Sequence, residues 1–323
     1  MEEMKKIPIV MDFDTGTDDA VALITALLHR DMLDVCAVTA VAGNVPLEAT
    51  AANTLNIVDA LGHTDIPVAK GADKPLKREL HCAISHGKTG LGDVIVPDSE
   101  RGFRFRRSRR FHSVPCPDRK FRLKRDIQPY HDHIQSAAEK DLYRLRIHIG
   151  IEFGCLRHIS SYQAAAHNIH PLDQLYNVRV SLDCDRHISL GAGSQHNQFS
   201  LMRQSRLPIW ARDRVEAAGT PEAKLAVQVM DFMIKRNKEF GYDVANLHDV
   251  VAFCAIVNPS VLKLKKYYVD VETEGTITRG MTVADFRDVC PDKEKNITCA
   301  EDIDVEAFWN WFVDVFEKRG KRR

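Results

Sequence analysis

Apolar positions in the first seventy residues follow two alternating spacings. Short apolar or β-branched runs at Ile7–Met11, Val35–Val41 and Ile66–Ala69 are typical of buried strands. Between them, apolar side chains recur at helical spacing over Asp18–Leu28 and over Pro46–Leu61, where the proline fits a first helical turn. Strands and helices in such short alternation predict a parallel sheet with right-handed crossovers.

The last hundred residues show a similar succession of elements. Thr220-Pro221 matches an N-cap followed by proline at the first helical position, and His248-Asp249 opens a second apolar helix that Asn258-Pro259 closes. Tyr267–Val271 is predicted as a strand, and Val305–Phe316 as an aromatic-rich amphipathic helix. The two ends of the chain together predict an α/β fold, with an open, mainly parallel sheet and flanking helices.

The middle of the chain, residues 101–212, departs from this pattern. Hydrophobic periodicity fades there, residues 101–150 hold fourteen Lys or Arg, and nine of the fourteen histidines lie between residues 101 and 200. We expect an irregular, basic and histidine-rich segment inside a single domain of residues 1–323. The simplest interpretation is an exposed insertion. A nucleic-acid-binding arm is an alternative, but no recognisable binding module accompanies it.

Composition and charge narrow the classes of function. Hydrophobic residues make up 44% of the chain and charged residues 28%, as in ordinary globular proteins. The formal net charge is zero, so we expect neither nucleic acid nor a membrane as a partner. No apolar run approaches the roughly 18 residues of a membrane span, and the N-terminus lacks the apolar region of a signal peptide. We therefore expect a cytoplasmic protein.

The segment after the first predicted strand holds four carboxylates in eight residues. These are Asp12, Asp14, Asp18 and Asp19, and Gly16 between them allows a tight turn. Ligands of α/β proteins bind at the carboxyl ends of parallel strands, where this segment lies. Mutual repulsion makes such a cluster costly without a cation, and a cage of several carboxylates suits Ca²⁺ better than Mg²⁺. Alternatively, Asp18 and Asp19 only favour a helix N-terminus.

Short motifs along the chain resemble those of one enzyme family. They are Asp12–Asp19 as DxDxGxDD, Val41–Asn44 at a strand end, His86–Gly92 as a glycine-rich loop, Leu247–Asp249 at a helix start, and Gly280–Val283. In this order they resemble the inosine-uridine-preferring nucleoside hydrolases, except over residues 101–212. The resemblance implies hydrolysis of ribonucleosides to ribose and free base by a calcium-activated water, a role in purine or pyrimidine salvage, and a homodimer or homotetramer.

By matching position, the resemblance assigns the metal site and the general base. Asp14, Asp19 and Asp249 would hold Ca²⁺, and Asp14 would also take the proton of the attacking water. Asp12 would orient the loop from behind. Alternatively, Asp249 is only a favourable N-terminal residue of its helix.

The same matching assigns the residues that bind substrate. Asp18 would bind ribose hydroxyls, Asn44 would bond to the sugar side, His86 would line the base pocket, and His248 would protonate a departing purine. A base that leaves as an anion gives an imidazole of near-neutral pKa this use. Alternatively, Asn44 caps the helix at Pro46, His86 is an exposed loop residue, and His248 only begins a helix.

Two other functions and one genetic hypothesis stay open. Haloacid-dehalogenase-type phosphohydrolases also place Asp-x-Asp after a strand and use Mg²⁺, but they expect Thr or Val where this chain has Gly16. We found none of the nucleoside hydrolase motifs in residues 101–212, so an inactive, degenerate relative is the second alternative. That segment is also interpretable as frame-shifted, because codons 107–113 read from their second base permit Asp-Pro-Val-Asp-Phe-Ile-Leu. The nucleotide sequence around codons 100–215 tests this hypothesis.

Overall fold

The computed structural model describes residues 6–74, 80–83, 85–92, 94–103, 206–239, 241, 245–271, 282–295 and 297–321, together with five short strands between residues 114 and 189. Most of the 101–212 segment and the residues 280–281 of the last motif lie outside the described residues. The expected irregular middle and the frame-shift hypothesis therefore stay predictions.

The N-terminal region alternates strands and helices as predicted. Its elements are β1 (Ile7–Phe13), α1 (Thr17–Leu28), β2 (Leu33–Ala40), α2 (Leu47–Ala60) and β3 (Val68–Lys70). Their ends lie within two residues of the predicted ones. Pro46 does not lie inside the first turn of α2 but immediately precedes it, at the N-cap position.

The rest of the chain adds short central strands and a helix-rich C-terminal region. In chain order the elements are β4 (Val114–Cys116), β5 (Arg119–Phe121), β6 (Ile147–His148), β7 (Arg179–Asp183), β8 (Arg186–Ser189), α3 (Ile209–Ala217), α4 (Pro221–Glu239), α5 (His248–Val257), β9 (Leu262–Tyr267), β10 (Val269–Val271), β11 (Thr282–Ala284), β12 (Ile297–Ile303) and α6 (Val305–Lys321). The strand predicted at Tyr267–Val271 is divided in the structure: β9 ends at Tyr267, and β10 (Val269–Val271) pairs with β11 instead of joining the main sheet.

Eight of the strands form one sheet in the order β3-β2-β1-β6-β7-β8-β12-β9. Four of its seven neighbouring pairs are parallel, and three are antiparallel. Helices flank this sheet, so the predicted α/β class is confirmed. The strand β1 lies inside the sheet, between β2 and β6, and its carboxyl end is therefore central.

Helix α1 is the centre of the packing. Ten of its twelve residues are buried, because it contacts α2, α4, α5 and α6. A helix that is apolar on nearly every side is stable only when neighbours enclose it in this way. The aromatic face of α6, with Phe308, Trp309, Phe312 and Phe316, is fully buried in the same core. Within the described part of the chain, no helix combines the length and apolarity needed to cross a bilayer.

Candidate active site

The carboxyl end of β1 brings residues from both ends of the chain together. The acidic loop follows β1 directly, the segment after β2 lies beside it, and α5 begins near it with His248 and Asp249. The ligand atoms of Asp18, Asp19 and Asp249 all lie within 4.8 Å of one another. Asp249 is thus close to the acidic loop, although more than two hundred residues separate them in the chain.

Asn44 holds the acidic loop in place through three hydrogen bonds. Its backbone N–H donates to Asp14 Oδ2 at 2.9 Å, and its side-chain Nδ2 donates to the Asp14 carbonyl at 3.0 Å and to Asp19 Oδ2 at 2.9 Å. The N–H of Gly16 donates to the same oxygen of Asp19, at 2.9 Å. The alternative role of Asn44 as a cap of α2 is wrong, because Pro46 is the N-cap residue and no side chain caps that helix.

Two further contacts fix the loop from behind. Asp12 is buried, and its Oδ1 accepts a hydrogen bond from the Thr39 hydroxyl on β2. At Gly16 an added Cβ would lie 2.5 Å from His86 Nδ1 and 2.6 Å from Asn44 Nδ2. Only glycine therefore allows the loop to approach these two side chains.

Burial raises the pKa of every carboxyl group that faces the cluster. The pKa of Asp14 rises to about 7 and that of Asp18 to about 6, in both cases chiefly through loss of hydration. The pKa values of Asp19 and Asp249 are raised well above normal by burial and then by the neighbouring carboxylates. In the absence of a cation, the cluster therefore prefers to hold protons.

Two histidines lie on either side of Asp18. His86 is 9% exposed, and its Nδ1 accepts a hydrogen bond from the Thr17 backbone N–H at 3.0 Å, so the neutral ring carries its proton on Nε2. The exposed-loop interpretation of His86 is therefore wrong. Its Nδ1 lies 4.0 Å from Asp18 Oδ1, while His248 Nδ1 lies 3.8 Å from Asp18 Oδ2. Burial, and then Arg236 and His248, lower the pKa of His86 to about 3.

A family model described as "Inosine-uridine preferring nucleoside hydrolase" matches residues 9–147 and 165–310. The chain belongs to this family. The match includes residues 101–147 and 165–212, so the part of this nucleoside hydrolase that lies outside the family pattern is shorter than the predicted 101–212 segment.

Curated relatives match this nucleoside hydrolase over nearly its whole length. The pyrimidine-specific ribonucleoside hydrolase RihA of Shigella boydii serotype 4 (strain Sb227) is 28% identical over 315 residues, which is 95% of this chain and 97% of that protein. RihA of Escherichia coli O139:H28 (strain E24377A / ETEC) is 29% identical with the same coverage.

Solved structures show the same fold. A purine-preferring ribonucleoside hydrolase from Gardnerella vaginalis matches with a TM-score of 0.65 and 21% identity, covering 98% of this chain and 100% of its own. The plant nucleoside hydrolase PpNRh1 matches with a TM-score of 0.67 and 20% identity, covering 97% and 99% respectively. The nucleoside hydrolase fold of the chain is thus established independently of its site motifs.

The site residues of this nucleoside hydrolase fit a hard divalent cation. Asp19 Oδ1 is buried and has no hydrogen-bond partner among the described residues. An unsatisfied buried polar atom costs about 1–3 kcal/mol, and a cation would remove that cost together with the carboxylate repulsion. The three carboxylates that lie closest together include Asp18, whereas the set predicted from the sequence contained Asp14 in its place.

Sequence reasoning missed two polar residues of α2 that bond to the site loops of this nucleoside hydrolase. Asn53 on α2 donates from Nδ2 to the Thr15 carbonyl at 3.3 Å and to the Thr89 carbonyl at 2.7 Å, so it joins the acidic loop to the His86 loop. Beside it, the hydroxyls of Thr54 and Thr15 share a hydrogen bond. The sequence feature that could have identified them is the pair of polar residues Asn53-Thr54 on the buried face of a helix.

Proposed function

We propose that this chain hydrolyses the N-glycosidic bond of ribonucleosides, giving ribose and free base, with Ca²⁺ as its cofactor. The observation that carries the proposal is the convergence of the acidic loop and Asp249 around an unsatisfied buried carboxylate oxygen, beside two histidines. The family match and the ribonucleoside hydrolase relatives support an enzyme of this class. Hard oxygen ligands of this kind favour calcium over softer metals.

The proposed metal ligands are Asp14, Asp19 and Asp249, with Asp18 close enough to share the site. When bound, the cation would lower the pKa of water and orient the sugar hydroxyls. Asp14, fixed by the Asn44 N–H, takes a proton from the attacking water. Asp12 holds the loop through its bond to Thr39.

The remaining residues bind and activate the nucleoside. Asp18 accepts hydrogen bonds from ribose hydroxyls, and Asn44 keeps the sugar side of the loop in position while contacting the substrate. His86 lines the base pocket, where its Nε2–H is free of the Thr17 contact that occupies Nδ1. His248, at the start of α5, donates a proton to the departing base.

Release of free base from inosine and uridine, and of p-nitrophenol from p-nitrophenyl riboside, together with the reducing sugar formed, tests the proposal. We expect turnover that EDTA abolishes and added Ca²⁺ restores. An Asp19→Asn variant tests the metal site in a second way, because it removes one proposed ligand charge while keeping the side-chain shape. Turnover that is insensitive to chelation would contradict the calcium assignment. No turnover of any of the three substrates would favour an inactive relative, and turnover of phosphate esters would favour a phosphohydrolase.

We further propose that the enzyme acts in cytoplasmic nucleoside salvage as a homodimer or homotetramer. Light scattering on the purified protein measures the mass of the assembly, and cell fractionation locates the protein. A monomer at micromolar concentration would contradict the assembly.

A further inference from the structure

Helix α2 presents a buried polar face to the loops of the site. Thr50, Asn53 and Thr54 lie on this face, because residues three and four positions apart in a helix are neighbours. Thr50 and Thr54 have no exposed surface, and Asn53 is 8% exposed. The three side chains bond to three different segments of the site: the acidic loop, the segment after β2 and the His86 loop. Packing alone would favour apolar residues at these positions, so we interpret this face as a support for the loops.

The direction of the hydrogen bonds along this face follows from the groups that take part. The Thr54 hydroxyl donates its one proton to the Thr50 carbonyl at 2.8 Å, since a carbonyl can only accept. The hydroxyl oxygens of Thr15 and Thr54 lie 2.5 Å apart, so Thr15 is the donor of that bond. The Thr50 hydroxyl donates in turn to the Val41 carbonyl at 2.8 Å. Thr54 is therefore the acceptor that holds the hydroxyl proton of Thr15.

Thr15 is the middle one of the three residues that join β1 to α1. It is fully buried, and its neighbour Asp14 is held separately, because Asp14 Oδ2 accepts the Asn44 N–H at 2.9 Å. The backbone here is thus tied to α2 through Thr15 and to the segment after β2 through Asp14. A cation requires its ligand carboxylates at set distances, so a loop that shifts among several positions binds it more weakly.

We propose that the hydroxyls of Thr15 and Thr54 form a positioning pair, which keeps the acidic loop in the conformation that binds the cation. The motifs that carry the family resemblance assign no role to either residue. If the pair is broken, only a fraction of the molecules hold the loop in that conformation, and the apparent affinity for the cation falls by the same fraction. The cation rests on the proposed function, whereas the ordering of the loop does not.

Hydrogen exchange in EDTA, measured by mass spectrometry, reports the order of the loop without metal or turnover. Thr54→Ala removes the acceptor of the Thr15 proton, and we expect the peptide with the amides of Gly16 and Thr17 to exchange about tenfold faster. Thr54→Ser keeps the hydroxyl and should stay within about twofold of wild type. Thr25→Ala is the matched control, because Thr25 is equally buried and its hydroxyl bonds within α1. Unchanged exchange in Thr54→Ala, or equal acceleration in Thr54→Ser or Thr25→Ala, would overturn the proposal.

Calcium titration followed by thermal unfolding gives a second readout. We expect the half-saturating calcium concentration to rise about tenfold in Thr54→Ala and to stay within about twofold of wild type in Thr25→Ala. Uridine turnover of Thr54→Ala at saturating calcium should recover to within about threefold of wild type, because excess ion selects the ordered loop. Thr15→Ala removes the same bond from the loop side, so the double variant should be no more affected than either single variant.

Three results of the titration would overturn the proposal. They are additive effects of the Thr15 and Thr54 substitutions, equal calcium midpoints in Thr54→Ala and Thr25→Ala, and a loss of turnover that saturating calcium does not restore. If the wild type neither binds calcium nor turns over a nucleoside, the proposed function fails. The exchange measurement then decides by itself whether Thr54 orders the loop.

Discussion

The two sides of the site respond to burial in opposite directions. On the carboxylate side, loss of hydration raises the pKa values of Asp14, Asp18, Asp19 and Asp249. On the histidine side, the same loss lowers the pKa of His86. Burial therefore drives both acids and bases toward their neutral forms. The comparison teaches that a bound cation is what would hold the carboxylates in their charged forms.

Removal of one carboxylate tests the acidic side most severely. We expect Asp249→Asn to lower kcat/KM by about 10³-fold or more, because a metal ligand contributes several kcal/mol to the barrier. Calcium should no longer raise the thermal unfolding temperature of the variant. Its metal-free stability should not fall, since burial already favours the uncharged form of Asp249. Exposed Asp292→Asn is the control, and a variant that retains both activity and the calcium effect would refute this account of the acidic side.

Removal of the imidazole at the start of α5 tests the histidine side. We expect His248→Ala to reduce kcat on inosine about 10²-fold, the usual contribution of a general acid. The loss on p-nitrophenyl riboside should be much smaller, because that leaving group departs without a proton. Equal losses on the two substrates, measured under saturation, would show that His248 positions Asp18 instead of protonating the base.

The pH dependence of calcium binding tests the pKa shifts on the carboxylate side of the site. The folded pKa values of Asp14 and Asp18, about 7 and about 6, lie above the ordinary value, so the metal-free fold loses stability as the pH rises through this range. Below pH 6 the cation must displace these protons. Calcium should therefore stabilise the fold by about 2 kcal/mol more at pH 7.5 than at pH 5.5.

Thermal unfolding with EDTA and with calcium, at both pH values, gives this difference. A calcium effect that is the same at pH 5.5 and 7.5 would mean that the cluster is already ionised in the metal-free protein.

The smallest effect is expected from removing Asn53, which connects the two sides of the site. Asn53→Ala removes the bonds that join the acidic loop to the His86 loop, and should cost about 1–3 kcal/mol of unfolding free energy with a several-fold rise in KM. Asn56→Ala is the control. Asn56 is on the same helix as Asn53, but its side chain bonds to Asp98 and Ser99, away from the site. Equal effects of the two variants on KM would show that Asn53 serves the fold alone.

Local pattern was sufficient to predict the elements from Ile7 to Lys70, because each buried strand and helix there has its own clear hydrophobic spacing. It was insufficient for β9, whose sequence LKLKKY buries only its two end residues and exposes three lysines. Edge strands of a sheet are commonly charged in this way, which removes the apolar signal. As a result, the predicted strand at Tyr267–Val271 includes β10 but only the last residue of β9.

The site residues that stand in a clear local sequence pattern could likewise be predicted, and the others could not. The acidic loop and Asp249 were found because they stand in short, ordered motifs. Asn53 was not found, since its role depends on contacts with residues far away in the chain. Asp18 was predicted as a sugar ligand, and only the three-dimensional distances place it in the tightest carboxylate group.

The convergence of Asp249 on the acidic loop also affects how the chain is made. During synthesis, Asp18 and Asp19 leave the ribosome long before α5 does, so the proposed metal site is incomplete in the growing chain. A cation could be held by the complete set of proposed ligands only after residue 249 has emerged and α5 has packed against α1. Tight ion capture would thus mark the final stage of folding, and fragments that stop short of α5 would lack it.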